Sequence, residues 1–315
     1  MKRAKLAIVT AFALVAVAQE ATIRTKVPLV VLSASVTDKR GHAIDGLEAA
    51  DFLVLDEGRP RTVRVDTVAD GLAPVALVTL VQTTAMSLSA LAKIRKVGAM
   101  IPGAVLGANG EAAVVTFDDE IKIAQDFTTD AEAIEGAFKN LKPQDSSGGR
   151  MIDAVDEALR SLGGRSGARR AYILIIGENK DRGSKEKLSD LLSKLQASGV
   201  TVYSLTYSAY LTPFTTRPED YQPTGGSPSY VEFARLFKQN TAAALTEATG
   251  GRRFGFQTKS KLENDLIALG GDLHGRYLLS FSPALDETPG FHSLQVEIRN
   301  RPEAVVHTRS GYWPQ

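Results

Sequence analysis

Four short, almost uninterrupted apolar runs constrain this chain more than any other feature. They are VALVTL at residues 75–80, AAVVTF at 112–117, AYILII at 171–176 and VTVYSL at 200–205. A strand with one wet face alternates apolar and polar residues, so runs without alternation predict strands covered on both faces, as in a parallel sheet between two helical layers. Helical periodicity separates most of them. Leu188, Leu191, Leu192 and Leu195 share one face of a helix predicted over 184–198. Ile134, Phe138 and Leu141 do the same over 130–141, where Thr129-x-x-Glu132 forms a capping box. Met151, Ile152, Val155, Leu159 and Leu162 form a third stripe, and Phe233, Leu236, Phe237, Ala244 and Leu245 a fourth. Ser260-x-x-Glu263 caps a last helix carrying Leu262, Leu266, Leu269 and Leu273. The default role of every stripe is core packing. One pair departs from the alternation: AAVVTFDDEIKIAQDF (112–127) predicts strand, Asp118-Asp119 turn, strand, hence an antiparallel edge on an otherwise parallel sheet.

The flanks have strand character. VVLSASVTD (30–38) runs into a Lys39-Arg40-Gly41 turn, and DFLVLDEGRPRTVRVDTV (51–68) alternates around Asp56-Glu57-Gly58. RYLLSFSP, HSLQVEIRN and AVVHTRSGYW follow residue 275. Each flank is short for independent stability, because a few strands need a second layer to bury one face. The expected organisation is therefore a β segment over 19–71, a doubly wound, mostly parallel α/β domain over 72–274, and a β segment over 275–315 that joins the first in one sandwich-like module.

Residues 1–18 are expected to be a cleaved export signal. MKRAK supplies the positive start, residues 6–18 an apolar run, and Ala16-Val17-Ala18 a small-x-small cleavage site before Gln19. The apolar run is about 13 residues, short of the roughly 20 needed to span a bilayer. No span is expected after cleavage, and the mature chain is expected in the periplasm or outside the cell. A formal charge of +1 argues against nucleic acid as the main partner. The chain has no cysteine, which excludes disulfides and thiolate metal sites.

Several longer stretches carry a family resemblance: VTDKRGHAIDGLEAADFLVLDEGRPR (36–61), EAAVVTFDDEIKIAQDFTTDAEAI (111–134), RRAYILIIGENKDRGSKEKL (169–188), RYLLSFSP (276–283) and TRSGYW (308–313). In their order and spacing the α/β part resembles a von Willebrand factor A domain, and the whole chain resembles a secreted bacterial subfamily of it. The resemblance implies a doubly wound sheet with ligands bound at the carboxyl ends of its strands. It also implies a metal-ion-dependent adhesion site, built from Asp-x-Ser-x-Ser after the first strand, a Thr before the third helix and an Asp after the fourth strand. Oxygen-only octahedral ligation suits Mg²⁺.

This chain departs from that pattern at nearly every position. The first Asp falls on Val81, and the two Ser positions fall on Thr83 and Ala85. The Thr position falls within Ser147-Gly148-Gly149-Arg150, at Gly149 or Arg150, and the late Asp falls on Glu178. Only Thr83 and Glu178 keep an oxygen, so the site is expected to be degenerate and to bind no metal or other cofactor. Two readings stand for Arg150: its guanidinium lies within reach of Glu178, or, as the favoured expectation, both side chains simply lie in water.

No enzyme is expected. His42, His274, His292 and His307 form no His-Glu-x-x-His, and neither a Gly-x-Ser-x-Gly elbow nor a P-loop is present. Two functions remain. One is a protein-binding module of adhesion or scaffold type that uses the crevice loops, with Thr83, Arg150 and Glu178 at the site. The other is a structural component of an envelope complex, docked through the β module, with a vestigial crevice. The stretch SAYLTPFTTRPEDYQPTGGSPSY (208–230) is long for a connection in an α/β unit. It is expected to overlie the crevice and to offer Tyr210, Phe214, Arg217 and Tyr221 to the partner, or else merely to pin itself to the domain.

Overall fold

The computed structural model describes residues 29–66, 74–84, 88–165, 169–207, 240–256, 259–283 and 290–312. In chain order its strands are β1 (Val30–Thr37), β2 (Phe52–Asp56), β3 (Arg59–Arg61), β4 (Arg64–Asp66), β5 (Val75–Gln82), β6 (Glu111–Phe117) and β7 (Ile121–Thr128). There follow β8 (Arg170–Gly177), β9 (Thr201–Tyr207), β10 (Arg253–Phe256), β11 (Tyr277–Phe281), β12 (His292–Ile298), β13 (Val305–His307) and β14 (Gly311–Tyr312). The α-helices are α1 (Leu88–Met100), α2 (Ala131–Lys139), α3 (Met151–Leu162), α4 (Leu188–Ser198), α5 (Thr241–Thr249) and α6 (Lys259–His274).

The four apolar runs lie side by side. A six-stranded sheet has the order β10-β9-β8-β5-β6-β7, parallel throughout except for the antiparallel edge strand β7. All of β5 is buried, as a central strand covered on both faces must be. One face carries Leu77, Val81, Val114, Leu174 and Leu205 against α1, α2 and α6. The other carries Val78, Leu80, Val115, Ile173 and Val202 against α3, α4 and α5. The chain goes from β5 to β6 on one side and later places β8 on the other. The strand order therefore reverses at β5, and a crevice opens beyond its carboxyl end. This is the doubly wound, mostly parallel arrangement with one antiparallel edge strand that the sequence predicts.

Several boundaries differ from expectation. Thr129 does not cap α2: Asp130 does, accepting a hydrogen bond from the Glu132 amide. Helix α4 begins at Leu188 rather than 184, because the amides of Lys185 and Glu186 bond to Asp153 and Ser184 bonds to Asp181. Ser260 lies inside α6 rather than ahead of it. Strand β10 has no counterpart among the strands the sequence predicts. Ala244 and Leu245 are buried in α5, whereas Phe233, Leu236 and Phe237 lie outside the described residues.

The flanking segments form a sandwich of two four-stranded sheets, β13-β1-β11-β4 and β14-β12-β2-β3, each mixing strands from both ends of the chain. Val30, Leu32, Phe52, Val54, Leu279, Val296 and Tyr312 fill the space between them. At the β2–β3 turn both Glu57 and Gly58 have positive φ (48° and 75°), the conformation whose twist matches a two-residue hairpin. Among the described residues no helix is long and apolar enough to cross a membrane, and the expected signal segment lies outside them.

Arg276, between α6 and β11, joins the two halves. Its Nε donates to the Tyr203 hydroxyl (2.9 Å), its Nη1 to the backbone oxygen and Oγ of Ser33 on β1 (3.2 and 3.1 Å), and its Nη2 to the Gly250 carbonyl. Tyr203 in turn donates to Asp272 at 2.6 Å. Burial works to raise the Asp272 carboxyl, but Arg276, Arg252 and the hydroxyls of Ser35 and Tyr203 outweigh it and hold the group below its ordinary value. Removing one partner of such a buried cluster leaves the other charge uncompensated, which costs about 3–5 kcal/mol. Arg276→Met is expected to lower unfolding free energy by about that amount in chemical denaturation.

His307 on β13 pairs with Ser35 on β1 at the same joint. Its burial, reinforced by the positive charge of Arg252 and Arg276, pulls its pKa from 6.5 down to about 4. The unfolded chain therefore binds a proton at this residue between those values while the folded one does not, so its contribution to stability falls as the pH drops through that window. Relative to the parent chain, His307→Gln is expected to flatten the loss of stability between pH 6.5 and 4, followed as the denaturation midpoint at each pH.

Candidate functional site

Three loops meet at the carboxyl end of β5: residues 83–84, 144–150 and 178–186. Thr83 continues from the buried strand, its amide on the Phe117 carbonyl (3.1 Å) and its hydroxyl donating to Asp118 Oδ2 (2.9 Å). Its carbonyl accepts the Gln144 amide at 3.0 Å, and Thr84 Oγ1 lies 3.3 Å from Ser146 Oγ. The second loop is thereby tied to the end of β5. Gly149 and Arg182 exchange two backbone hydrogen bonds of 2.9 Å each, which tie the second loop to the third.

The third loop is also fastened to two helix starts, where free amides need acceptors. Asp181 Oδ1 accepts from the Ile152 amide of α3 (3.0 Å) and from Ser184 Oγ (2.6 Å), while the Asp181 amide donates to Thr241 Oγ1 of α5 (3.1 Å). Asp153 receives the amides of Lys185 and Glu186 together with Arg150 Nε at 2.8 Å. Burial acts to raise the Asp153 carboxyl, but the two amides and Arg150 prevail and hold it below the usual carboxylate range.

Arg150 and Glu178 neither pair with each other nor lie simply in water. Arg150 grips Asp153, three residues on along α3, and uses Nη1 on the Asp119 carbonyl (3.1 Å). Glu178 instead lies against Arg182, Oε2 to Nη2, at 2.6 Å. The contact is an ion pair and not an aligned hydrogen bond, since this buried oxygen has no hydrogen-bonding donor. Gln82, Asp181 and Arg182 are the residues that the sequence pattern did not bring forward. Asp181 and Arg182 could have been suspected from the polar density of ENKDRGS, whereas Gln82 gives no signal of its own.

These groups do not fit a divalent ion. Val81 packs in the core with α1 and α2. The Thr83 hydroxyl is turned onto Asp118, the amide and carbonyl of Gly149 are both taken by Arg182, and Glu178 already faces a guanidinium. Among the described residues no three acidic or histidine side chains converge as metal ligands. An ion that dehydrates reluctantly and needs about six oxygens finds too few here. Ala85, Tyr210, Phe214, Arg217 and Tyr221 lie outside the described residues.

No protein-family model and no curated protein matches the chain. Among solved structures it is similar to BatB from Bacteroides thetaiotaomicron, at 11% identity over 61% of this chain and 95% of that one, with a TM-score of 0.44. A von Willebrand factor type A structure from Catenulispora acidiphila shows 10% identity over 90% of this chain and 74% of that one, TM-score 0.47. Proximal thread matrix protein 1 from the mussel byssus, with a zinc-occupied MIDAS motif, shows 14% identity over 70% and 51%, TM-score 0.46.

A ligand that binds only the native state raises its melting temperature. Millimolar Mg²⁺, Mn²⁺ or EDTA is expected to leave the Tm of this protein where it is, measured by scanning calorimetry, whereas a site of the metal-binding type would shift it by several degrees.

Proposed function

We propose that this chain is an exported, non-catalytic protein-binding module that uses the loops beyond β5 and β8 without a divalent ion. The observation that carries the reading is the form of the surface there. Beside the loops lies an open depression of about 400 Å³ whose lining includes Ile121, Arg150, Asp153, Glu157, Lys185 and Glu186. Small-molecule sites are enclosed and mostly apolar. An open, mixed-charge surface on a framework already fixed by hydrogen bonds suits a macromolecular partner that loses little to reorganisation. Export is supported by the amino-terminal sequence pattern.

One feature favours docking through the β module instead: Leu29 and Val31, at the start of β1, are 56% and 41% exposed. A photo-reactive residue at Lys185 or Asp119 is expected to crosslink the partner in intact cells, and one at Val31 is not. Capture from Val31 alone would select the β module, and capture from no position would sink both readings.

A further inference from the structure

We infer that Gln82 takes over the structural role that an ion would have in this crevice, so that the three loops are held in one arrangement by the chain itself. The side chain of Gln82 is fully buried at the end of β5. Its Oε1 accepts the Glu178 amide at 2.8 Å, which fixes the orientation of the carboxamide, since the flipped form would set a donor against a donor. Two glycines make the path for it. A β-carbon on Gly177 would stand 2.7 Å from Oε1 and 2.8 Å from the Gln82 Cβ, and one on Gly149 would stand 2.9 Å from Nε2. The carboxamide is thus threaded between the start of the third loop and the residue at which the second and third loops pair. Gly149 and Arg182 close over it with their two backbone hydrogen bonds. Nε2 has no hydrogen-bond partner among the described residues. The strut therefore acts through one hydrogen bond and through the space it fills, and it needs neither an ion nor a partner to form. It stands or falls apart from the protein-binding reading.

The test is amide hydrogen exchange resolved by residue. Gln82→Met keeps the volume while removing both the Oε1 acceptor and the unsatisfied donor, so global stability should change little. The Glu178 amide should nevertheless exchange roughly tenfold faster, as expected on losing about one hydrogen bond, with Gly149 and Arg182 following it. Leu174 and Ile175, inside β8, should not change. Gly149→Ala should reproduce the loop effect by displacing the carboxamide, yet add nothing in a Gln82→Ala background, where the side chain it would strike is gone. Millimolar Mg²⁺ should restore no protection to Gln82→Ala. Unchanged loop amides in Gln82→Met, additive effects of the two substitutions, or rescue by Mg²⁺ would each overturn the inference.

Discussion

The guanidinium of Arg276 is the constraint on which the arrangement of the two halves depends. It sits on the short link between the last helix of the α/β domain and the strand that returns the chain to the sandwich. From there it reaches β1, β9 and the turn before β10. Burying such a charge is tolerable only because Tyr203, Asp272, Ser33 and a backbone carbonyl meet it in defined directions. Satisfying those directions fixes the link, and the link fixes where β11 begins. Strand β11 pairs with both β1 and β4, so the placement of one charged side chain is carried into the sandwich register.

How far the sequence reveals the fold follows from how local each signal is. Strands β5, β6, β8 and β9 are legible because continuous apolarity is a property of the segment itself. Strand β10, four residues including an arginine and a glycine, has no such signature and is a strand because β9 offers it an edge. The start of α4 at Leu188 is not legible for a related reason. Residues 184–187 are polar and compatible with a first helical turn, but the amides of Lys185 and Glu186 serve Asp153 across space.

The candidate site divides in the same way. That Val81 cannot ligate a metal is visible in its side chain alone. That Arg150 faces Asp153 instead of Glu178 was available in principle, since residues three apart on a helix are neighbours. The pairing of Glu178 with Arg182 needs the turn of the third loop. Gln82 shows nothing in sequence, because what makes it a strut is the absence of two β-carbons on residues far from it in the chain.

The contacts to the β module and the crevice loops lie at opposite ends of the parallel sheet. The contacts that hold the β module are made around strand starts: Gly250 precedes β10, and Gln196, which accepts Arg309 Nη1 at 3.0 Å, lies just ahead of β9. Arg170, the first residue of β8, bonds to the Leu273 carbonyl near the same link. Because β5, β8, β9 and β10 run parallel, their starts lie at one end of the sheet and the crevice loops at the other. A partner on those loops need not displace the β module. The β module therefore seats against one end of the sheet, while the loops at the other end are fixed by their own hydrogen bonds.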